Sequence, residues 1–193
     1  MARPISYNPD EVLSKAVQVF WEKGYESTSV KDLVKATGLK PGSIYLLYHN
    51  KEALFHASLS AYAKHYLERV KIIFKDTNDP LLAIEIFLRE VVMVNITDKK
   101  TQGCLLVKTQ LGLHYTNEKI RSYINLYFSE VEKLLKAAIE EAKLKGMTQV
   151  DSEHFPHFII TTIFGAHTYY QTNKNPRLLE INIDYLLKVL REE

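Results

Sequence analysis

The chain has 193 residues, enough to bury a substantial core, and its formal net charge of +2 excludes a strongly basic or acidic protein. Hydrophobic residues make up 46% and charged residues 25%, which excludes extensive disorder. The single cysteine excludes a framework of intramolecular disulfides, and no apolar run approaches the roughly 20 residues needed to span a bilayer. Since no secretory segment is visible either, we expect a soluble, cytoplasmic protein without membrane contacts.

Helical periodicity recurs along the chain and sheet signals are weak, so we predict an all-α fold with about nine helices. A first helix should begin at Asn8-Pro9 and end at Gly24, with Leu13, Val17 and Phe20 as its buried face. After residue 50 the predicted helices cover about 51–74, 79–95, 104–113, 116–145, 151–172 and 176–190, with a turn at 99–103.

Two short helices joined by a glycine turn are predicted between these regions. Ser29 and Asp32 have the spacing of a capping box, which starts a helix near Val30. This helix should stop at Gly38, because glycine readily adopts the left-handed conformation that ends helices. Pro41 then favours the first turn of a second helix, so the segment predicts a helix-turn-helix.

The second of these short helices has features that favour contact with DNA. Gly42 and Ser43 carry almost no side chain, so backbone N–H groups at the helix start can approach a phosphate closely. No carboxylate lies between Lys35 and Lys51, and Lys40 lies within this segment. A helix that enters the major groove must avoid negative charge, because the phosphates are negative. On geometry alone, however, the same segment is equally typical of a corner in an ordinary helical protein.

More specific evidence comes from a series of residues at fixed spacing: Gly24-Tyr25, Thr28-Ser29-Val30, Asp32-Leu33, Gly38-Leu39, Gly42-Ser43-Ile44-Tyr45, Tyr48 and Asn50-Lys51-Glu52-Ala53-Leu54. This series closely resembles the N-terminal domain of the tetracycline-repressor (TetR) family. The resemblance implies a ligand-responsive, DNA-binding transcriptional regulator, usually a repressor, which binds a palindromic operator as a homodimer and is released by a small molecule. It further implies a three-helix DNA-binding domain in residues 1–55 and a ligand-binding and dimerisation domain in residues 56–193.

The resemblance also implies which residues contact double-stranded operator DNA. The set expected at the groove consists of Lys40, Gly42, Ser43, Tyr45 and Leu46. The set expected to hold phosphates consists of Thr28, Ser29, Tyr48 and Lys51.

Aromatic rings and hydroxyls in the middle helices suggest an apolar pocket for an unidentified small-molecule effector. The candidate lining residues are Tyr62, Tyr66, Tyr123, Tyr127, Phe158, Thr161, Thr162 and Tyr169. Each of these is also a typical core residue. Cys104 and Lys108 are added because a helix N-terminus and a nearby lysine both favour a reactive thiolate, although a single cysteine is more often a small buried hydrophobe.

The last two helices are predicted to form a homodimer interface, packed as a four-helix bundle. The apolar stripe of the final helix consists of Leu179, Ile183, Leu186 and Leu190, widened by Leu178, Ile181 and Leu187. The alternative is that the core of a single chain uses these positions.

No enzyme motif is present: the sequence lacks a Gly-rich phosphate loop, Gly-x-Ser-x-Gly and His-Glu-x-x-His. We therefore predict a protein that is not an enzyme and has no cofactor. His154 and His157 suit one helical face, but no third ligand is fixed by spacing, so no metal site is predicted. The alternative function is an all-helical protein-interaction module without DNA binding.

Overall fold

The computed structural model describes residues 7–90, 103–112 and 118–191, and this part of the chain consists of helices and turns without a β-strand. Its helices are α1 (Pro9–Lys23), α2 (Val30–Thr37), α3 (Pro41–Tyr48), α4 (Lys51–Asp76), α5 (Pro80–Leu88), α6 (Leu105–Gly112), α7 (Glu118–Leu144), α8 (Phe155–Asn173) and α9 (Pro176–Arg191). The prediction of an all-α chain with about nine helices is confirmed for these ranges. The predicted helix end near residue 95, the first residues of the 99–103 turn and the helix start near 116 lie outside them.

Helix α1 begins where Asn8-Pro9 predicts it, and the Asn8 side chain accepts the backbone N–H of Asp10 at 3.0 Å. Its buried face differs from the predicted one, because Leu13 and Val17 are only half-buried. The fully buried positions are Val12, Ala16, Val19, Phe20 and Trp21. Helix α1 packs against both α2 and α4, so its apolar face is wider than a single stripe.

Helices α2 and α3 form the predicted helix-turn-helix. The Ser29 hydroxyl accepts the Asp32 N–H at 3.2 Å, and the Asp32 carboxylate accepts the Ser29 N–H at 3.0 Å, so the capping box is confirmed. Gly38 ends α2 at φ 74°, a left-handed conformation that favours glycine. The turn then buries Leu39 and places Pro41 at the start of α3.

Helix α4 joins this helix-turn-helix to the later helices. It has 26 residues, which corresponds to a length of about 39 Å. Phe55 near its start packs against Phe20 of α1 with ring centroids 4.8 Å apart, and further along α4 contacts α5 and α7. One contiguous core cluster includes buried residues from Val12 to Leu190, so the division at residues 55 and 56 stays a prediction about function.

Helix α9 is held against the other helices by apolar contacts and ion pairs. Arg191 pairs with Glu85 at 2.6 Å, and Arg89 pairs with Asp184 at 3.1 Å, which connects α9 with the α5 region. Its buried residues are Leu179, Ile183, Leu186, Leu187 and Leu190. The single chain therefore uses these five positions of the predicted stripe for its own core, whereas Leu178 is half-buried and Ile181 is exposed. A dimer interface on the last two helices stays a prediction.

Among the helices in the described ranges, none is both long enough and apolar enough to cross a membrane.

Candidate nucleic-acid interface and effector cluster

The outer side of α3 presents an apolar and aromatic tip. Ile44 is buried and anchors the helix, whereas Tyr45 and Leu46 point outward, with Leu46 81% exposed. These two side chains come from adjacent positions, so they form one small surface that the helix-turn-helix holds away from the core. Tyr45 and Leu46, which were both predicted at the groove, are therefore accessible to a partner.

The start of α3 is also open to solvent. Lys40 and Gly42 are exposed and Ser43 is half-buried. The Lys40 carbonyl accepts the N–H groups of Ser43 and Ile44 at 2.9 and 3.2 Å, so the first turn is formed without a side-chain cap. The absence of a side chain at Gly42 leaves room for close approach to this turn, with no heavy atom within 4 Å of a Cβ built there.

The one carboxylate of α2 is neutralised inside the domain. Asp32 pairs with Lys23 at 2.6 Å, and hydrogen bonds from Lys23 and then from Ser29 hold the pKa of Asp32 well below its usual range. Lys31 and Lys35 on the same helix are exposed. The surface of α2 therefore presents positive charge, as a helix that lies beside DNA phosphates requires.

Two residues of the predicted phosphate-binding set are used inside the domain instead. Thr28 is 2% exposed and donates its hydroxyl to the Gly24 carbonyl at 2.6 Å. Ser29 donates both its hydroxyl and its backbone N–H to Asp32, at 2.7 and 3.0 Å. In this conformation neither residue has a donor left for a phosphate, so we no longer expect them to bind DNA. Their hydroxyls organise the start of α2.

Lys51 and Tyr48 have mixed roles. The Lys51 ammonium donates to the carbonyls of Tyr25 and Thr28, both at 3.0 Å, and lies 4.3 Å from the centroid of the Tyr25 ring. Two of its three N–H groups therefore hold the loop between α1 and α2, and one remains for a phosphate. Tyr48 is half-buried, and its pKa is raised by burial and then by nearby Tyr7 and Asp10.

Several of the predicted effector residues do come together, at the centre of the molecule. The Tyr62 hydroxyl lies 3.7 Å from the Cys104 Sγ atom and accepts the Leu105 N–H at 3.4 Å. The rings of Tyr62 and Tyr66 have centroids 4.4 Å apart. Tyr127 is buried as well, and burial, followed by Cys104 and Tyr66, raises its pKa. We call Tyr62, Tyr66, Cys104 and Tyr127 the effector cluster.

The environment of Cys104 favours a small buried hydrophobe over a reactive thiolate. Cys104 is buried, and burial raises the pKa of its thiol. The nearby Lys108 ammonium donates to the backbone carbonyl of Trp21 at 2.8 Å, and burial, followed by Lys174, lowers its pKa. Desolvation therefore outweighs any help that the helix N-terminus or the lysine gives to the ionised thiol.

Four predicted effector residues lie on the outside of the molecule instead: Tyr123, Phe158, Thr161 and Tyr169 are exposed. Thr162 is half-buried and donates its hydroxyl to the Phe158 carbonyl at 2.8 Å. The presence of rings and hydroxyls in the middle helices did not indicate which helix face points inward.

Sequence reasoning missed three residues beside the effector cluster. Trp21, the single tryptophan, donates its indole N–H to the Gly103 carbonyl at 2.5 Å and packs edge-on against Tyr62. His167 of α8 accepts the Cys104 N–H at 3.5 Å. Gly103 adopts φ +115°, and a Cβ there would lie 3.2 Å from the His167 Nδ1 atom. The single tryptophan and the Gly-Cys pair were the only available signals.

Residues 12–58 match the family model described as "Bacterial regulatory proteins, tetR family". The N-terminal segment is a TetR-family DNA-binding domain. The chain is therefore a DNA-binding transcriptional regulator and not an enzyme, and the interpretation as a protein-interaction module without DNA binding is not supported.

Similarity to known proteins extends beyond the matched segment. The chain is 26% identical over 166 residues to the HTH-type transcriptional repressor ComR of Escherichia coli K12, and the match covers 84% of the chain and 79% of ComR.

Solved structures share the fold over nearly the whole length. A cysteine mutant of the TetR family transcriptional regulator CifR, complexed with a 26-base-pair double-strand operator DNA, has a TM-score of 0.82 and 24% identity, over 96% of this chain and 98% of that one. The regulator FadR from Bacillus subtilis, in complex with stearoyl-CoA, has a TM-score of 0.74 and 22% identity, over 93% and 97%.

Within the residues that the structure describes, no group of three or more His, Cys, Asp and Glu side chains could hold a metal ion. His154 pairs with Asp151, and His157 lies 3.6 Å from Glu132, so the two histidines have separate partners.

Proposed function

We propose that this TetR-family regulator binds a palindromic operator as a homodimer, represses neighbouring genes and releases DNA when a small molecule enters its helical body. The observation that carries the proposal is the outward tip of α3, where Tyr45 and Leu46 are exposed beside a glycine-containing helix start. Side chains of this kind suit the base edges of the major groove, where a leucine can contact a thymine methyl group.

Different residues would contact the phosphates. Lys40 and the helix start at Gly42 and Ser43 are positioned beside the tip, and Lys31 and Lys35 extend the positive surface along α2. Contacts of this kind fix the position of the protein on the duplex without reading its sequence. Lys51 and Tyr48 would make weaker contacts with the phosphates, because Lys51 already donates two hydrogen bonds within the domain and Tyr48 is half-buried.

The dimer would form through the outer faces of α8 and α9. On α8 the residues Phe158, Thr162, Gly165, Tyr169 and Thr172 lie three or four positions apart, which places them on one helical face. Phe158 and Tyr169 are exposed large rings on this face, with small residues between them. A second helix can approach such a face closely, so these residues suit an interface better than an internal pocket.

Helix α9 packs beside α8. Its outward residues Ile181, Tyr185 and Val189 are four positions apart and exposed, although each is apolar or aromatic. The two helices from each of two chains would form a four-helix bundle. Two-fold symmetry would then place two α3 helices in successive major grooves, about 34 Å apart.

Release would start at the effector cluster. The Gly103 carbonyl accepts the Trp21 indole N–H, and the Lys108 ammonium donates to the Trp21 carbonyl, so α1 is joined to the α6 region by two hydrogen bonds. Helix α4 provides a second route, since Tyr62 belongs to the cluster and Phe55 packs against α1. A ligand that favours a different arrangement here would reorient the DNA-binding helices, with a coupling free energy typically of about 1–3 kcal/mol.

The experiment that tests this function is selection of genomic fragments by the purified full chain, followed by binding to the selected duplex. We expect a palindromic site, and an affinity that falls linearly with salt on logarithmic axes, because bound phosphates release counterions. Equal binding to the selected duplex and to shuffled duplexes would refute operator recognition.

A further inference from the structure

One buried nitrogen in the described part of the chain has no hydrogen-bond partner. It is the Nε2 atom of His167, in a residue that is only 2% exposed. Every other fully buried side-chain nitrogen or oxygen in the described ranges has a partner. An unsatisfied buried polar group is costly, and it therefore requires an explanation.

The hydrogen bond at the other ring nitrogen defines what Nε2 offers. Nδ1 accepts the Cys104 backbone N–H at 3.5 Å, so Nδ1 carries no proton in the neutral ring. The proton is then on Nε2. Burial lowers the pKa of His167 to about 4, which keeps the ring neutral at pH 7. His167 is therefore a buried donor that lacks an acceptor.

Two groups that hydrogen bonds link to this imidazole are uncharged at pH 7. Burial raises the pKa of Cys104, which contacts His167 through its backbone, and raises that of Tyr62, which contacts Cys104. The Lys108 ammonium donates to the Trp21 carbonyl, and burial lowers its pKa. An ionised ligand group at Nε2 would lie beside a neutral thiol and a neutral phenol, which is unfavourable.

We propose that the effector carries an uncharged acceptor oxygen, such as that of a ketone, an aldehyde or an ester, and that this oxygen accepts the Nε2–H of His167. This inference rests on the proposed function, since it assigns the ligand class of the effector. His167 lies next to residues that connect helices: its Nδ1 atom accepts the Cys104 N–H, and the adjoining Gly103 carbonyl accepts the indole N–H of Trp21 in α1. An oxygen bound to His167 thus acts on the residues that join the helical body to the DNA-binding helices.

The test uses pairs of small probes that differ only at the acceptor. Cyclohexanone is compared with methylenecyclohexane, and acetophenone with α-methylstyrene, because a methylene group replaces the carbonyl oxygen at almost the same size. Binding of each probe to the full chain is followed by nitrogen-15 NMR of the histidine side chains, with His167 assigned by its loss in His167→Gln.

We expect the free protein to show a neutral, Nε2-protonated ring at pH 7. Both ketones should shift the His167 Nε2–H resonance and bind about tenfold more tightly than their methylene partners, the factor expected of one buried hydrogen bond. An Nδ1-protonated or charged ring would overturn the proposal. So would equal affinities within a pair, or no effect of either ketone on His167 at millimolar concentration.

Two variants separate the donor from the shape of the site. His167→Gln retains an N–H donor and should retain the preference for ketones, whereas His167→Phe fills a similar volume without a donor and should lose it. The wild-type NMR result decides the proposal if His167→Phe does not fold. Duplex binding by the unliganded protein is measured in the same experiment. Loss of duplex binding counts against the proposed function, whereas loss of the preference for ketones counts against the role of His167.

Discussion

At the tip of α3, the Leu46 side chain is 81% exposed. An apolar side chain that is exposed in the free protein contributes little to the free energy of folding. It can contribute more to the free energy of DNA binding, because a thymine methyl group of the duplex can cover it. The identity of this residue is thus better explained by recognition than by stability.

Leu46→Ala should therefore weaken binding to the selected duplex by about tenfold while leaving the thermal unfolding temperature almost unchanged. Fluorescence anisotropy with a labelled duplex measures the first quantity, and calorimetry measures the second. The matched control is Leu144→Ala at the end of α7, where the leucine is 90% exposed and far along the chain from α3. Equal losses of affinity in the two variants would contradict a specific role for Leu46.

His167 gives a second prediction at the scale of one residue. Its pKa in the folded chain is about 4, against an ordinary value of 6.5, because burial opposes protonation. Below pH 6.5 the unfolded chain takes up a proton that the folded chain does not. The free energy of unfolding should therefore fall by up to about 3 kcal/mol as the pH falls from 6.5 to 4, and this part should be missing in His167→Gln.

Urea unfolding at pH 7, 6, 5 and 4 measures this difference between the wild type and the variant. His157→Gln is the control, since its imidazole is on the surface of α8, and it should follow the wild-type profile. Parallel pH profiles for the wild type and His167→Gln would show that the buried ring does not resist protonation.

The burial of single residues was the least predictable property. Tyr62 and Phe158 are both aromatic residues in amphipathic helices, yet one is buried beside Cys104 and the other is exposed on α8. Thr28 matches the family pattern in sequence, but its hydroxyl is bonded to Gly24. Neighbours from distant parts of the chain decide these cases, and no local pattern contains that information.

Among the helices, α1 has a role that its amphipathic pattern did not reveal. Through Trp21 it is bonded to Gly103 and Lys108, which lie more than eighty residues further along the chain. Helix α4 connects the DNA-binding helices with α5 and α7. The structure adds this second connection, at the end of the helix that packs against both α2 and α4.

Trp21→Phe should weaken the connection while keeping a ring against Tyr62. The Gly103 carbonyl then loses its donor, so local opening of α1 should become easier by about 1 kcal/mol. Hydrogen exchange should accelerate in peptides of α1 and α2, with unchanged rates in α9 as the internal reference. Unchanged exchange in α1 would mean that the indole hydrogen bond does not hold the helix.

Helix starts were predictable because their signals are local. The Ser29 and Asp32 capping box and the proline at position 41 act within one turn, and the structure has both helices at these places. Helix faces were less predictable. Leu13 and Val17 are half-buried because α1 has two packing partners, and Leu187 belongs to the core because α9 packs against α5 as well as α8.

For the whole molecule, the arrangement of apolar surface favours a pair of chains. The core uses the inner stripe of α9, and Ile181, Tyr185 and Val189 remain outside. Phe158 and Tyr169 add aromatic surface on neighbouring α8. Exposed apolar and aromatic side chains on two neighbouring helices are typical of an interface between proteins.

Ile181→Asp should convert the dimer to a monomer, because two carboxylates would be buried across the two-fold axis. Sedimentation velocity at micromolar concentration measures the state of association. The matched control is Ile72→Asp on α4, where the isoleucine is 57% exposed and outside the proposed interface, and this variant should remain a dimer. A wild-type protein that sediments as a monomer would remove the basis of this prediction.

The overall architecture was predictable because helical periodicity and the fixed spacing between Gly24 and Leu54 specify a known arrangement of helices. The effector cluster was only half predictable. Tyr62 and Cys104 come from α4 and the start of α6, and their meeting depends on how α1, α4 and α8 pack around Gly103. Packing at that distance along the chain leaves no periodic signal.

The most direct measurement of the central claim is the binding of the purified full chain to a selected palindromic duplex and to its isolated half-site, at several salt concentrations. We predict two chains on each palindromic duplex, much weaker binding to the half-site, and an affinity that decreases linearly with salt on logarithmic axes. Absence of any preference for a palindromic duplex at low ionic strength would contradict the claim that paired α3 helices recognise an operator.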